Sequence, residues 1–509
     1  MALKPIHIAL NALDHLPPAN YSNAILYLPL KSNVRPKEVF NVLQEGLHRT
    51  FVQLPWLDGS VYPVSPTQPG ARPGLLEIRF YPCGLDSPLP QQLKFNELDA
   101  SMDFEELRES AFHPEIFEDE ALTWAPFLPD VTNGAKVFVA QANFMPGGCI
   151  LTAAVCHVVS DGAGANGVLN TWAANCRDVQ LGNKLQATLP PEISDHELLE
   201  RTWAKEVTGR PNWQIPPEAW RLLGFEPPAS TNPQSAATNG QHKVEDAPAP
   251  DSTKPQRVMK SYLFYISPTN VRMLRETCIK ELGETDISIN DAICALVWRC
   301  LIRSRMAAKA ISSDTKGAVN GSHQQPGHAD DNIQVRLDLP FDVRPYFPQS
   351  LPPNYLGNFT MINQALLPLS YLLAPSTSLG SVARTIRQGA GDLNAARLMD
   401  AYTLAKMLPG LGPRPKLQNL RVDGNGLMIT SLLAFPMTRF CFGEELFANG
   451  GNPEAMRPLL GAVNKLFRQC SILPIKSHRG VEFIANMFDT ELELLMEDEE
   501  FGKYAMFVA

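Results

Sequence analysis

Residues 136–164, KVFVAQANFMPGGCILTAAVCHVVSDGAG, decide how this chain folds. Along 136–144, Val137, Val139, Gln141 and Asn143 fall on one side and Phe138, Ala140, Ala142 and Phe144 on the other, the period-two pattern of a half-buried strand. Met145-Pro146-Gly147-Gly148 is turn chemistry, since proline presets one backbone dihedral and glycine accepts positive φ. Cys149 to Val155 is almost wholly apolar, so the two runs predict an antiparallel hairpin. His157 leaves the sheet at the strand's end, and Val168, Leu169, Trp172 and Ala173 share the inner face of a helix that follows.

His157, Asp161 and Gly162 stand at this strand-to-helix junction. An imidazole suits proton abstraction near neutral pH, and a glycine beside it leaves room for a substrate. The expectation is a general base at the mouth of a channel. The same four-residue spacing recurs at His242 and Asp246, in QHKVEDAPAP, without a preceding apolar strand and in the Pro/Ala-rich setting of a linker. Context therefore assigns the chemistry to His157. Cys156 precedes it, but adjacent strand residues point to opposite faces, so Cys156 reads as a small buried residue rather than a nucleophile.

Outward from this stretch, residues 228–257 are rich in Pro, Ala, Ser, Thr and Asn with no hydrophobic period and read as a flexible crossover. They divide the chain into an N-terminal domain, 1–227, and a C-terminal domain, 258–509. Residues 312–331 form a second polar stretch, expected as a surface loop. Pro36 opens a helix carrying Val39, Phe40, Leu43 and Leu47 on one face. Residues 261–266 (SYLFYI) and 333–339 (IQVRLDL) alternate as strands, and 428–435 (MITSLLAF) is apolar enough for a buried one. Ser288-Ile289-Asn290-Asp291 resembles a capping box at the start of a helix. Strands and helices segregated in each half predict an α+β architecture.

Length and composition bound the function. A chain of 509 residues with 44% hydrophobic and 19% charged residues is a globular protein of two domains. Its apolar runs are too short for a membrane span, and its ends carry no secretory, peroxisomal or retention signal, so a cytoplasmic protein is expected. Nine cysteines without a CxxC pair argue against a disulfide framework and a cysteine-rich zinc site. A net charge of −9 argues against a nucleic-acid surface. Arg414 and Lys416 in GLGPRPK (410–416) offer a local basic patch for an anionic ligand, with a solvated loop as the blander reading.

The sequence resembles the BAHD-type, CoA-dependent acyltransferases, above all the fungal branch that includes trichothecene O-acetyltransferases. The resemblance runs over essentially the whole chain. LDHLPPANYSNAILYLPL looks like the family's opening strand, and residues 137–173 contain its H-x-x-x-D-G. ISINDAICALVWRCLIRSR looks like the helix after the crossover, and LDLPFDVRPYFPQSLPPNYLGN like its D-x-R … Y-x-G-N segment. ITSLLAFPMTRFCFGEEL occupies the place of its SW … DFGWG segment, with Cys441 where Asp is usual, Leu432 where Trp is common and Phe442-Gly443 retained.

The resemblance implies two similar mixed-sheet domains of the chloramphenicol acetyltransferase type with a channel between them. It implies acetyl-CoA or another acyl-CoA as co-substrate, no tightly bound cofactor or metal, a small-molecule alcohol acceptor and a monomer. Asp161 is then a partner of Arg344 rather than an acid or base. Ser288, Thr430 and Ser431 become candidates for contacting the CoA ester, with Ser288 as helix cap the competing role. Asn358, Phe442 and Gly443 become candidates for lining the channel. Two other readings remain: a condensation-type enzyme using a carrier-protein thioester, which usually has a second His where Cys156 sits, and a catalytically silent binding homologue.

Overall fold

The computed structural model describes residues 4–509 apart from 69, 100, 186–188, 208–214, 226, 228–256, 284, 321–332, 390, 392, 409–420 and 476–479. His242, Asp246, Arg414 and Lys416 lie outside the described residues, as does nearly all of the 228–257 crossover.

The first half contains β1 (Ile6–Ala9), β2 (Tyr21–Pro29), α1 (Pro36–Gln53), β3 (Ser60–Pro63), β4 (Leu76–Phe80), β5 (Leu93–Glu97), β6 (Ala135–Lys136), β7 (Phe138–Met145), β8 (Gly148–Cys156) and α2 (Gly162–Gln180). The expected hairpin is β7–β8, with Met145 opposite Gly148 and Phe138 opposite Val155. Gly147 takes φ +79°, the conformation that calls for glycine in a two-residue turn. β2 runs antiparallel to β8 on its other side, and β5 lies parallel to β7.

β7 departs from the half-buried expectation, because all eight of its residues are buried. Its polar face is covered by the preceding segment, whose backbone satisfies the amides. Asn143 Nδ2 donates to Leu122 O at 3.0 Å and Ile150 O at 3.1 Å, and Gln141 Nε2 to Ala121 O at 3.0 Å. Alternation of polarity here marks two different buried environments, not water on one side.

The second half contains β9 (Lys260–Ile266), α3 (Pro268–Leu282), α4 (Ile289–Asn320), β10 (Gln334–Asp342), β11 (Thr360–Pro368), β12 (Gly426–Ser431), β13 (Ala455–Arg457), β14 (Gln469–Ile472), β15 (Val481–Met487) and β16 (Ala505–Phe507). Seven of these strands form one mixed sheet in the order β11-β10-β12-β14-β15-β9-β16. The eighth, β13, instead pairs with β2 and completes the sheet that carries the hairpin. The two sheets are therefore tied by chain crossing from the second half to the first. α4 continues to Asn320, so the polar stretch expected as a loop from 312 is helical at its start. Residues 428–435 are strand only to Ser431; from Leu432 the chain turns away toward the first half.

These two sheets each have their own core, and the four-stranded sheet β1-β4-β3-β6 packs into the first of them. Around β7 and β8, the apolar faces of α1 and α2 close over Phe138, Leu151 and Val155. Trp172 anchors that contact, its Nε1 donating to Leu43 O at 2.9 Å across the helix pair. A second core is built on Phe264, Trp298 and Phe483. A third lies along the seam, where Leu13 and Leu199 meet Val343, Phe347, Tyr355, Phe359 and Tyr402 from the second half. The residues singled out at 157–161 sit beside this seam.

Candidate active site

β8 ends at Cys156, and the main chain then turns through 157–161 before α2 begins. Asp161 caps that helix, its Oδ1 accepting from Gly164 N at 2.9 Å. His157 N donates to Asn20 O at 2.8 Å, which stitches the turn to the loop between β1 and β2. From Gly148 to Asp161, His157 is the one residue not fully buried. The residue is thus partly exposed while surrounded by packed protein.

Burial lowers the imidazole's pKa below its ordinary value, against smaller upward pulls from its own carbonyl, Asp161 and Asn358. At neutral pH the ring is neutral and able to accept a proton. Nδ1 makes no well-formed hydrogen bond, and the groups that face the ring are the residue's own carbonyl and the Asn358 side chain. Cys156 beside it is fully buried, and burial pushes its thiol up to about 12. A thiol so held is no nucleophile at neutral pH.

Asp161 faces away from this chemistry. Its Oδ1 also accepts from Arg344 Nη2 at 2.9 Å, and its Oδ2 from Arg344 Nη1 at 3.0 Å, Phe359 N at 2.7 Å and Thr360 Oγ1 at 2.9 Å. The pair is a two-pronged, buried ion pair across the seam, with side chains 1% and 2% exposed. Arg344 spends its other donors on Tyr355 O at 2.9 Å, Gly357 O at 2.6 Å and Asp342 Oδ1 at 2.7 Å. Burial alone would raise the Asp161 carboxyl, but the Arg344 charge and these donors hold it below the usual carboxylate range.

Gly162, expected to leave room beside the ring, faces Phe435; a Cβ there would meet that ring at 3.2 Å. The glycine that geometry demands is Gly164, where a Cβ would lie 2.1 Å from Leu356 O and 2.2 Å from Ser160 Oγ. The helix start is pressed that tightly against the 355–358 segment because Ser160 Oγ donates to Leu356 O at 2.6 Å. Gly164→Ala should therefore lower stability by about 1–3 kcal/mol, as overpacking against backbone does, seen as a reduced denaturation midpoint. An unchanged midpoint would mean the seam relaxes freely.

The remaining sequence-derived residues separate into groups. Ser288 is a helix cap: Asp291 N donates to its Oγ at 3.1 Å, and that hydroxyl donates to Asp291 Oδ2 at 2.7 Å. Thr430 and Ser431 are half-buried at the end of β12. Asn358, expected to line a channel, is buried, with Nδ2 donating to His157 O at 2.9 Å and Asp14 Oδ1 at 3.0 Å. Phe442 is likewise no channel wall. It is fully buried in the first core, edge-on to Trp172 at 6.2 Å. Gly443 takes φ +109° beside Gln180, whose Nε2 donates to Phe442 O at 2.5 Å and whose Oε1 accepts from Leu446 N at 3.1 Å. The CFG segment thus docks the second half on the end of α2.

Sequence reading missed Asp14, Phe435 and Gly164. Asp14 lay in a stretch taken for strand, although the Asn11-Ala12-Leu13-Asp14 run has a turn signature that the structure confirms, Asn11 Oδ1 accepting from Leu13 N at 2.9 Å. Among the described residues there is no group of His, Cys, Asp and Glu fit to hold a metal ion. No helix among them is long and apolar enough to cross a membrane. A cavity of about 500 Å³ lined by Arg299, Arg303, Thr377 and Glu500 lies away from His157. Its guanidinium groups are paired with Asp498 and Glu500, which leaves no free positive charge for an anion.

Residues 118–501 match the model of the Transferase family, and residues 21–176 that of the trichothecene 3-O-acetyltransferase-like N-terminal domain. The isocyanide synthase-NRPS hybrid crmA of Aspergillus fumigatus is 32% identical over 98% of this chain, which spans only 31% of that protein's length. An eremophilane O-acetyltransferase of Penicillium roqueforti is 25% identical, with 98% of each chain covered. The crystal structure of F. sporotrichioides TRI101 complexed with coenzyme A and T-2 shares the fold. Its TM-score is 0.69 at 19% identity, covering 99% of this chain and all of that one.

Proposed function

Because the chain belongs to the Transferase family, we propose that it moves an acyl group from an acyl-CoA thioester to a hydroxyl of a small organic acceptor, with His157 as general base. The observation that carries this reading is the one residue of the 148–161 run that is not buried, a neutral imidazole at a strand end. His157 Nε2 takes the hydroxyl proton as the alcohol oxygen attacks the thioester carbonyl. The tetrahedral intermediate then expels CoA thiolate, which receives the proton back from the imidazolium. No covalent enzyme intermediate is needed.

Thr430 and Ser431 are the candidates to approach the thioester and its oxyanion from β12, where stabilisation of developing charge has most effect. Acetyl-CoA is the default donor and leaves as CoA, so nothing remains bound between turnovers. The eremophilane and trichothecene relatives support a terpenoid acceptor, within a wider class of polyketide and alkaloid alcohols of fungal secondary metabolism. The reading includes a monomeric cytoplasmic protein with domains at 1–227 and 258–509 joined by the 228–257 crossover.

The carrier-thioester alternative has less support, because the position of the usual second histidine is Cys156, a sealed thiol. The test is release of free CoA when the protein meets acetyl-CoA and a panel of hydroxylated terpenoids, polyketides and alkaloids. Release only with an alcohol present, together with an O-acetyl product, is expected. Transfer from a carrier-bound thioester but not from acetyl-CoA would move the assignment to the alternative.

A further inference from the structure

We propose that Asp14 and Asn358 are positioning residues for His157, acting through a buried hydrogen-bond chain from the Asp14 carboxylate through the Asn358 amide to the His157 carbonyl. The inference rests on the general-base reading above.

The usual device for aiming a catalytic imidazole is a carboxylate on Nδ1. Here the nearest carboxylate of the motif, Asp161, has both oxygens committed to Arg344, Gly164, Phe359 and Thr360. No well-formed hydrogen bond among the described residues holds Nδ1. The ring's direction therefore follows from where the main chain of residue 157 is held.

That main chain is held on both sides. The amide donates to Asn20 O at 2.8 Å. The carbonyl accepts from Asn358 Nδ2 at 2.9 Å, and the second proton of the same nitrogen goes to Asp14 Oδ1 at 3.0 Å. Asn358 comes from the second half and is 3% exposed, while Asp14, from the loop between β1 and β2, is wholly buried. Its other oxygen accepts from Asn11 N at 2.7 Å and faces His196 Nδ1 at 3.8 Å.

A buried carboxylate is costly unless its partners are fixed, so Asp14 holds the Asn358 amide firmly in one orientation. The His157 carbonyl that Asn358 grips also pulls the ring's pKa upward, as an acceptor facing a ring N–H does, and Nδ1 is the ring nitrogen nearer to its own main chain. A proton is thereby favoured on Nδ1, which leaves Nε2 as the basic nitrogen; the tautomer is assigned from these partners. Removing the chain frees the carbonyl, the ring and the tautomer together.

The experiment measures steady-state kinetics of Asn358→Ala, Asp14→Ala, Asp14→Asn and the double alanine variant. It uses acetyl-CoA and an alcohol that the unaltered protein turns over, with folding checked by thermal denaturation. For Asn358→Ala, kcat should fall about 100-fold, the scale of an ångström's misplacement of a reacting group, with both KM values little changed. Asp14→Asn should keep most of the rate that Asp14→Ala loses, because an amide oxygen still accepts from Asn358. The double variant should be no slower than Asn358→Ala alone.

Unaltered kcat in folded Asn358→Ala, or a loss no larger than the loss of folded protein, overturns the proposal. Where Asn358→Ala does not fold, the Asp14 pair decides, and equal rates for Asp14→Asn and Asp14→Ala overturn it. The outcomes separate from the general-base reading: an active His157→Ala sinks that reading, whereas an inactive His157→Ala beside a fully active Asn358→Ala sinks only the positioning chain.

Discussion

His157→Ala should slow acyl transfer by about 10²–10⁴-fold, the contribution a positioned general base makes, while the protein stays folded. Truncation of this largely buried ring removes no well-formed hydrogen bond at Nδ1, and the backbone bonds to Asn20 and Asn358 remain. KM for acetyl-CoA should change little, since the imidazole acts on the proton of the acceptor. Residual rate above the uncatalysed reaction would come from proximity and oxyanion stabilisation alone.

The pH profile of the unaltered protein follows from the same burial. A base works only when unprotonated, and burial lowers this imidazole's pKa from its ordinary value. The acid limb of kcat/KM should therefore lie below pH 6.5, with activity present above it and lost as pH falls through the lowered value. His157→Ala should abolish that limb along with the rate. An acid limb that survives in the variant would assign the titration to another group, and a variant as fast as the parent would end the general-base mechanism.

The hairpin was legible because β7 and β8 carry unlike side-chain patterns on either side of a Pro-Gly turn, and local chemistry sufficed. His157 stood out as a candidate because a titratable ring ending an apolar run has few structural reasons to be there. Burial of β7 was not, since Gln141 and Asn143 look solvent-facing until the segment at 121–122 supplies their acceptors. Asn358 and Asp14 are 344 residues apart in the chain, and neither has a local pattern that points to the other. Phe442 looked like a channel residue only through resemblance, whereas its ring is a plug in the first core. Site residues visible in sequence are those whose chemistry clashes with their surroundings; those that act by tertiary contact read as ordinary loop.

Asp161→Ala and Arg344→Ala should each cost about 3–5 kcal/mol of stability, because each leaves a buried charge without its partner. They should not cost it in the same way. Without Asp161, Arg344 keeps as countercharge only Asp342, a carboxylate 36% exposed, and the donors Gly164 N, Phe359 N and Thr360 Oγ1 lose their acceptor. Without Arg344, Asp161 keeps those three donors but loses its countercharge, and the carbonyls of Tyr355 and Gly357 lose a donor. The double variant buries neither charge, so its loss should fall short of the sum of the singles by about 0.5–3 kcal/mol, the range for residues in direct contact. Chemical denaturation of the four proteins measures this. Asp161 has a folded pKa below its unfolded value, so its contribution is present above the unfolded pKa and is lost as pH falls through the lowered folded one. The coupling measured at pH 7 should accordingly shrink below about pH 4. Asp161→Asn keeps the shape and one of the two acceptor oxygens, and its activity should track its folded fraction, as befits a residue that holds the turn under His157 and touches no reacting atom. Strictly additive losses at neutral pH would show that the two side chains are held independently, and the seam would then need another clamp.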